Sequence, residues 1–146
     1  MFLFLTKKKV RQNKVKIPTN LVAPVILGPS NGPNASSSTK SIKENGIDVH
    51  TFQANENVKW SITGGIDASK FNIDSSTGKL TFKSAPDYEN PNDSDSNNSY
   101  EVKIKATDPS GNIANHTLIV TVSDVDEASY TTKEEKGSIS LLKDTN

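Results

Sequence analysis

The 146-residue chain contains no cysteine. Disulfide scaffolds, thiolate zinc sites and cysteine nucleophiles are therefore excluded. Histidine occurs only at His50 and His116, with no second ligand at metal spacing beside either. Long apolar runs are also missing. Met1–Leu5 and Leu21–Leu27, the second broken by Pro24, are the longest. A bilayer-crossing helix needs roughly 20 apolar residues, so nothing in the sequence reads as a span. Met1–Leu5 is too short for the apolar region of a signal peptide, and Lys7–Lys9 lie on its wrong side. No glycine-rich phosphate loop and no nucleophile–histidine–acid pattern is present, so the chain does not read as an enzyme.

Negative charge is missing from the first part of the chain. Residues 1–43 hold eight bases (Lys7, Lys8, Lys9, Arg11, Lys14, Lys16, Lys40 and Lys43) and no acid, while all 17 acids lie beyond them. The formal net charge of zero is thus a cancellation between a basic start and an acidic remainder. The basic start lacks interleaved aromatics, so it reads as a solvated extension, with no nucleic-acid partner and no small-molecule substrate implied.

Composition divides the chain into a basic extension over 1–23, a central domain over 24–128 and a tail over 129–146. Within the domain, 28–40 is rich in Gly, Pro and Ser and reads as a loop. The rest carries the two-residue period of half-buried strands. Val58, Trp60 and Ile62 alternate with Lys59 and Ser61. Tyr100, Val102, Ile104 and Ala106 alternate with Glu101, Lys103 and Lys105, and Leu118, Val120 and Val122 alternate with Ile119 and Thr121. Leu80 with Phe82, Val49–Gln53 and Phe71–Ile73 are shorter candidates. Asp74–Gly78 and Pro109–Asn112 supply turn residues with glycine where a positive φ is needed. Strand signals about every ten residues, with no helical stripe between them, predict an all-β, Ig-like Greek-key sandwich of about seven strands.

Acids gather at strand ends: Glu44, then Asp87 and Glu89, then Asp108, then Asp124, Asp126 and Glu127. Carboxylates converging from separate loops suit a hard cation such as Ca²⁺, which takes six to eight oxygens. Asp93–Asn97 suggests an EF-hand, but Asn98 and Ile104 stand where that loop requires Gly and Glu. The segment from 90 to 99 reads instead as a flexible acidic insertion.

Taken in order, these pieces resemble the cadherin repeat over roughly 100 residues. Ser41–Asn45 resembles the family's glutamate motif, and Trp60-Ser61-Ile62 and Phe71–Asp74 with Thr77–Leu80 follow. Asp87-Tyr88-Glu89 resembles its Asp-Arg-Glu motif, and Val102–Asp108 and Val122–Glu127 complete the series. The resemblance implies that Glu44, Asp87 and Glu89, with Asp124, Asp126 and Glu127 from the outgoing linker, bind calcium at one end. Asp108 would serve a joint at the other end. The departures are Asp124–Ala128 in place of the family's Asp-x-Asn-Asp-Asn, and Asn55-Glu56-Asn57 in place of Asp-x-Asp. They imply a divergent member, as in bacterial surface proteins.

The implied function is calcium-dependent cell adhesion or cell-surface interaction. The implied partner is an adjacent repeat or another surface protein, homophilic contact included. The implied location is extracellular or cell-surface, with membrane association through a part not in this chain. A metal-free Ig-like spacer domain and a carbohydrate-binding module are the alternatives. The second would need exposed aromatics, for which only Trp60, Tyr88 and Tyr130 are available.

Overall fold

A computed structural model describes residues 20–127. Most of the basic extension, Ala128 and the 129–146 tail lie outside them. Nine strand segments occur in chain order: β1 (Ile26–Leu27), β2 (Ser37–Lys43), β3 (Asp48–Thr51), β4 (Gln53–Ala54), β5 (Lys59–Gly64), β6 (Phe71–Ile73), β7 (Lys79–Phe82), β8 (Ser99–Thr107) and β9 (Ile113–Ser123). A single 3₁₀ turn, Ala68–Lys70, precedes β6. One sheet has the order β2-β9-β8-β5 and the facing one β3-β7-β6, with β1 and β4 paired beside it. Only Phe52 separates β3 from β4, and β1 and β2 are two halves of one path that changes sheets. The nine segments therefore trace seven strands of an all-β sandwich.

Alternation along β8 and β9 builds one wall of the core. Tyr100, Val102, Ile104, Leu118 and Val120 are wholly inaccessible to solvent. Phe52, Phe71, Leu80 and Phe82 form the other wall, with Phe71 stacked on Phe82 and Tyr100 edge-on to Phe82. Burying each such side chain contributes about 1.5–3 kcal/mol, on both walls alike. Trp60 is buried at the edge of the same core and cannot serve as an exposed sugar platform.

Two segments depart from the sequence expectation. Residues 37–40, expected within a loop, begin β2, which runs parallel to β9 from Ser37 opposite Thr117 to Lys43 opposite Ser123. Its inward positions include Ser38 and Lys40, so the strand lacks an apolar stripe. The second is the insertion at 90–99, which is folded. Asp93 is buried and accepts the backbone N–H groups of Asn97 (2.8 Å) and Asn98 (3.3 Å). Asp67, also buried, accepts those of Ser94 (2.8 Å) and Glu101 (2.9 Å), tying the insertion to β8. An acidic composition suggests solvation, but each of these two carboxylates instead organises backbone donors.

His116 explains how a polar strand is held. The Ala35 carbonyl can only accept, so Nδ1 carries the proton and donates to it at 2.9 Å. Nε2 then accepts the Ser38 hydroxyl at 2.6 Å. Ser38 and His116 are both buried, so this nucleophile–histidine contact is a clasp that closes β2 onto β9. Desolvation lowers the His116 pKa against the opposing bond to Ala35. His50 moves the same way through desolvation, then through the charge of Lys40 and of His116. The unfolded imidazole takes up a proton below about pH 6.5 while the folded one resists. Stability is therefore fully present above that pH and falls as pH drops toward the lowered folded value. The slope from His116 can reach about 1.4 kcal/mol per pH unit at most. Urea midpoints between about pH 7.5 and 5 should fall for the parent, and less steeply for His116→Gln, which keeps every carboxylate of the parent and so isolates the histidine.

Candidate cation site

Glu44 follows β2 directly, and its N–H continues the parallel ladder to the Ser123 carbonyl at 3.1 Å. Position and charge are then fixed by two backbone donors. Oε2 accepts the N–H of Tyr88 at 2.7 Å, and Oε1 accepts that of Val125 at 2.9 Å. One buried carboxylate thus gathers three separate pieces of chain: the end of β2, the 83–98 connection and the segment leaving β9. The next residue reinforces the arrangement, because the Asn45 N–H donates to Pro86 at 3.0 Å and its side-chain amide to Glu127 Oε1 at 3.0 Å.

The consequence is a carboxylate cluster. Glu44, Glu89 and Asp124 each offer an oxygen, and those oxygens lie within 4.8 Å of one another. Glu89 and Asp124 are exposed, so the cluster opens to solvent at the end of the sandwich. The backbone N–H groups of Tyr88 and Val125 hold the Glu44 carboxyl below its ordinary pKa. Glu89 goes the other way. Its own backbone N–H lowers it, but desolvation and the charges of Glu44, Asp124 and Asp87 together outweigh that and raise it. Like charges held together this way favour either protonation or a bound cation.

The other expected residues are placed differently. Asp87 accepts the Asn90 N–H at 2.9 Å and acts on Glu89 through its charge, without joining the group of three. Asp126 is exposed on the outgoing segment, and Glu127 is engaged by Asn45. Asp108 lies at the far end of the sandwich, after β8. Burial acts to raise its carboxyl, yet donors from Asn112, Ser110 and Gly111 outweigh this and hold it below the ordinary value. The backbone groups of Tyr88 and Val125 leave no side-chain signal in the sequence and are legible only in the fold.

The donor set at the Glu44 end fits a hard divalent cation. All three groups are carboxylates, and each Glu44 oxygen accepts only one backbone N–H, leaving acceptor capacity free. Three carboxylates supply three to six of the oxygens calcium requires, so water, carbonyls or a neighbouring module would add the rest.

Residues 33–124 match a family model described as the cadherin domain. No curated protein sequence matches the chain. Among solved structures, Drosophila N-cadherin EC1-3 aligns with a TM-score of 0.55 at 23% identity, over 71% of this chain and 35% of that one. A protocadherin gammaB7 EC3-6 cis-dimer structure aligns with a TM-score of 0.56 at 18% identity, over 73% and 24%. Mouse clustered protocadherin EC1-3 gives 0.52 at 24% identity, over 70% and 33%. The chain therefore spans about a quarter to a third of the length of the solved proteins it resembles.

Proposed function

Because this chain belongs to the cadherin-domain family, we propose that it is a calcium-binding, non-catalytic module of an extracellular or cell-surface adhesive protein. The convergence of Glu44, Glu89 and Asp124 carries the reading. These three would hold the cation, with Asp87, Asp126 and Glu127 contributing from the flanking segments. Bound calcium would neutralise the carboxylates and order the outgoing segment. Glu44 does the positioning, since it already holds Tyr88 and Val125 through the backbone. A segment fixed in this way presents an adjacent repeat, or another surface protein, at a set angle. Homophilic contact is included in that expectation. Among the described residues no helix is long and apolar enough to cross a membrane.

The test is calorimetric titration with calcium alongside melting in calcium and in chelator. Extracellular calcium modules bind at about 10⁻⁴–10⁻³ M, so about 10 mM calcium should stabilise the domain by about 1.4–2.7 kcal/mol. That corresponds to a rise in Tm of roughly 5–15 °C. Glu89→Gln with Asp124→Asn should remove the rise and, by relieving repulsion, leave the Tm in chelator equal to the parent's or higher. A parent that melts identically in calcium and chelator would instead be a metal-free spacer.

A further inference from the structure

The far end of the sandwich carries acids too, but their oxygens are used differently. Asp108 is buried, and its Oδ1 accepts the backbone N–H groups of Ser110 and Asn112, both at 2.8 Å. Its Oδ2 accepts the side-chain amide of Asn112 at 2.7 Å and that of Asn20 at 3.3 Å. Two donors on each oxygen use the acceptor capacity of the carboxylate, whereas each Glu44 oxygen carries only one.

Asn20 completes the contrast. Its amide nitrogen stands between two acids, donating to Glu56 Oε2 at 3.1 Å as well as to Asp108. The orientation is forced, because the flipped amide would aim its oxygen at two carboxylates. Its own oxygen accepts the Val22 N–H at 2.9 Å, and its backbone carbonyl accepts the Asn112 amide at 2.9 Å. The next two side chains, Leu21 and Val22, are exposed and offer no oxygen. Beside Asn20 and Asp108, Glu56 keeps a carboxylate with spare capacity.

We infer that the module takes a cation at the Glu44 end only, and that the Asn20 amide closes the opposite end by bridging Glu56 and Asp108 where a cation would otherwise sit. An –NH₂ group between two carboxylates supplies two directed N–H dipoles and needs no ion. The family's expectation of calcium at both ends therefore does not fit the far end, and this disagreement does not depend on the Glu44 end binding calcium.

Three variants test it, each melted in chelator and in about 10 mM calcium and titrated with calcium. Asn20→Asp replaces the bridging donor by a third carboxylate. It should lower the Tm in chelator by roughly 5 °C or more and regain part of that in calcium. Asp108→Asn should lower the Tm equally in both conditions, leaving calcium affinity within about twofold of the parent. Glu56→Gln, on a half-buried side chain where folding is not at risk, should leave affinity and stoichiometry unchanged. A tenfold loss of calcium affinity or a lower stoichiometry in Glu56→Gln or Asp108→Asn would overturn the inference. So would an Asn20→Asp protein that melts in chelator like the parent. If the parent shows no calcium response, the proposed function fails, while the Asn20→Asp melt in chelator still decides this inference.

Discussion

Glu44→Ala should abolish the calcium response and also lower the melting temperature in chelator, by roughly 5–10 °C. Both effects come from one carboxylate with two duties. Its oxygens accept the N–H groups of Tyr88 and Val125, and alanine leaves both donors without a partner near the end of the core. The 83–98 connection and the outgoing segment then lose their shared anchor, and Glu89 and Asp124 no longer have a fixed third oxygen near them. Glu89→Ala should separate the duties. Among the described residues Glu89 accepts no backbone donor from another residue, and its carboxyl is raised on balance by its neighbours, so its loss should remove the calcium response without lowering stability in chelator. Melting and calcium titration of both variants provide the comparison. If Glu44→Ala binds calcium like the parent, the cluster is not the cation site.

Gly65→Ala should cost at least about 3 kcal/mol, a large share of the roughly 5–15 kcal/mol that holds a domain of this size together. Gly65 directly follows β5 at φ = 105°, a conformation that an L side chain rarely adopts. Space is a second obstacle. A β-carbon there would lie 2.5 Å from the Glu101 carbonyl oxygen and 2.7 Å from the Val102 α-carbon. Both are backbone atoms of β8, which cannot move without opening the core. The close approach is also what lets the Asp67 N–H reach the Glu101 carbonyl at 3.1 Å and its carboxylate cap β8. Gly111→Ala is the control, since Gly111 also has a positive φ (93°) but has nothing within contact distance of a new β-carbon. It should show the conformational cost alone, about 1 kcal/mol. Urea unfolding distinguishes the two, and equal midpoints for both variants would show that crowding at β8 is not the cause.

Much of the fold was legible because alternation is local. Val58–Ile62, Leu80–Phe82, Tyr100–Ala106 and Leu118–Val122 each announce a buried face within a few residues, and each is a strand in the sandwich. Where the alternation was polar, it could not be read. β2 pairs through the buried Ser38, whose partner His116 lies 78 positions away. The insertion at 90–99 is rich in Asn, Ser and Asp, and it reads as solvated until Asp67 and Asp93 are seen to receive its N–H groups.

The candidate site divides along the same line. Acids at strand ends were visible as residues, and the sequence by itself determined that this chain is an acidic, cysteine-free β-sandwich with a basic extension. Tertiary structure alone decided which acids meet: Glu44, Glu89 and Asp124 converge, while Asp87 and Glu127 accept from Asn90 and Asn45, Asp126 is exposed and Asp108 is spent on amides at the other end. The physical reason is range. Burial periodicity is set by neighbours along one strand, whereas a carboxylate's role depends on which donors reach its oxygens. Those donors are mostly backbone N–H groups and amides brought from distant segments, which no side-chain pattern records.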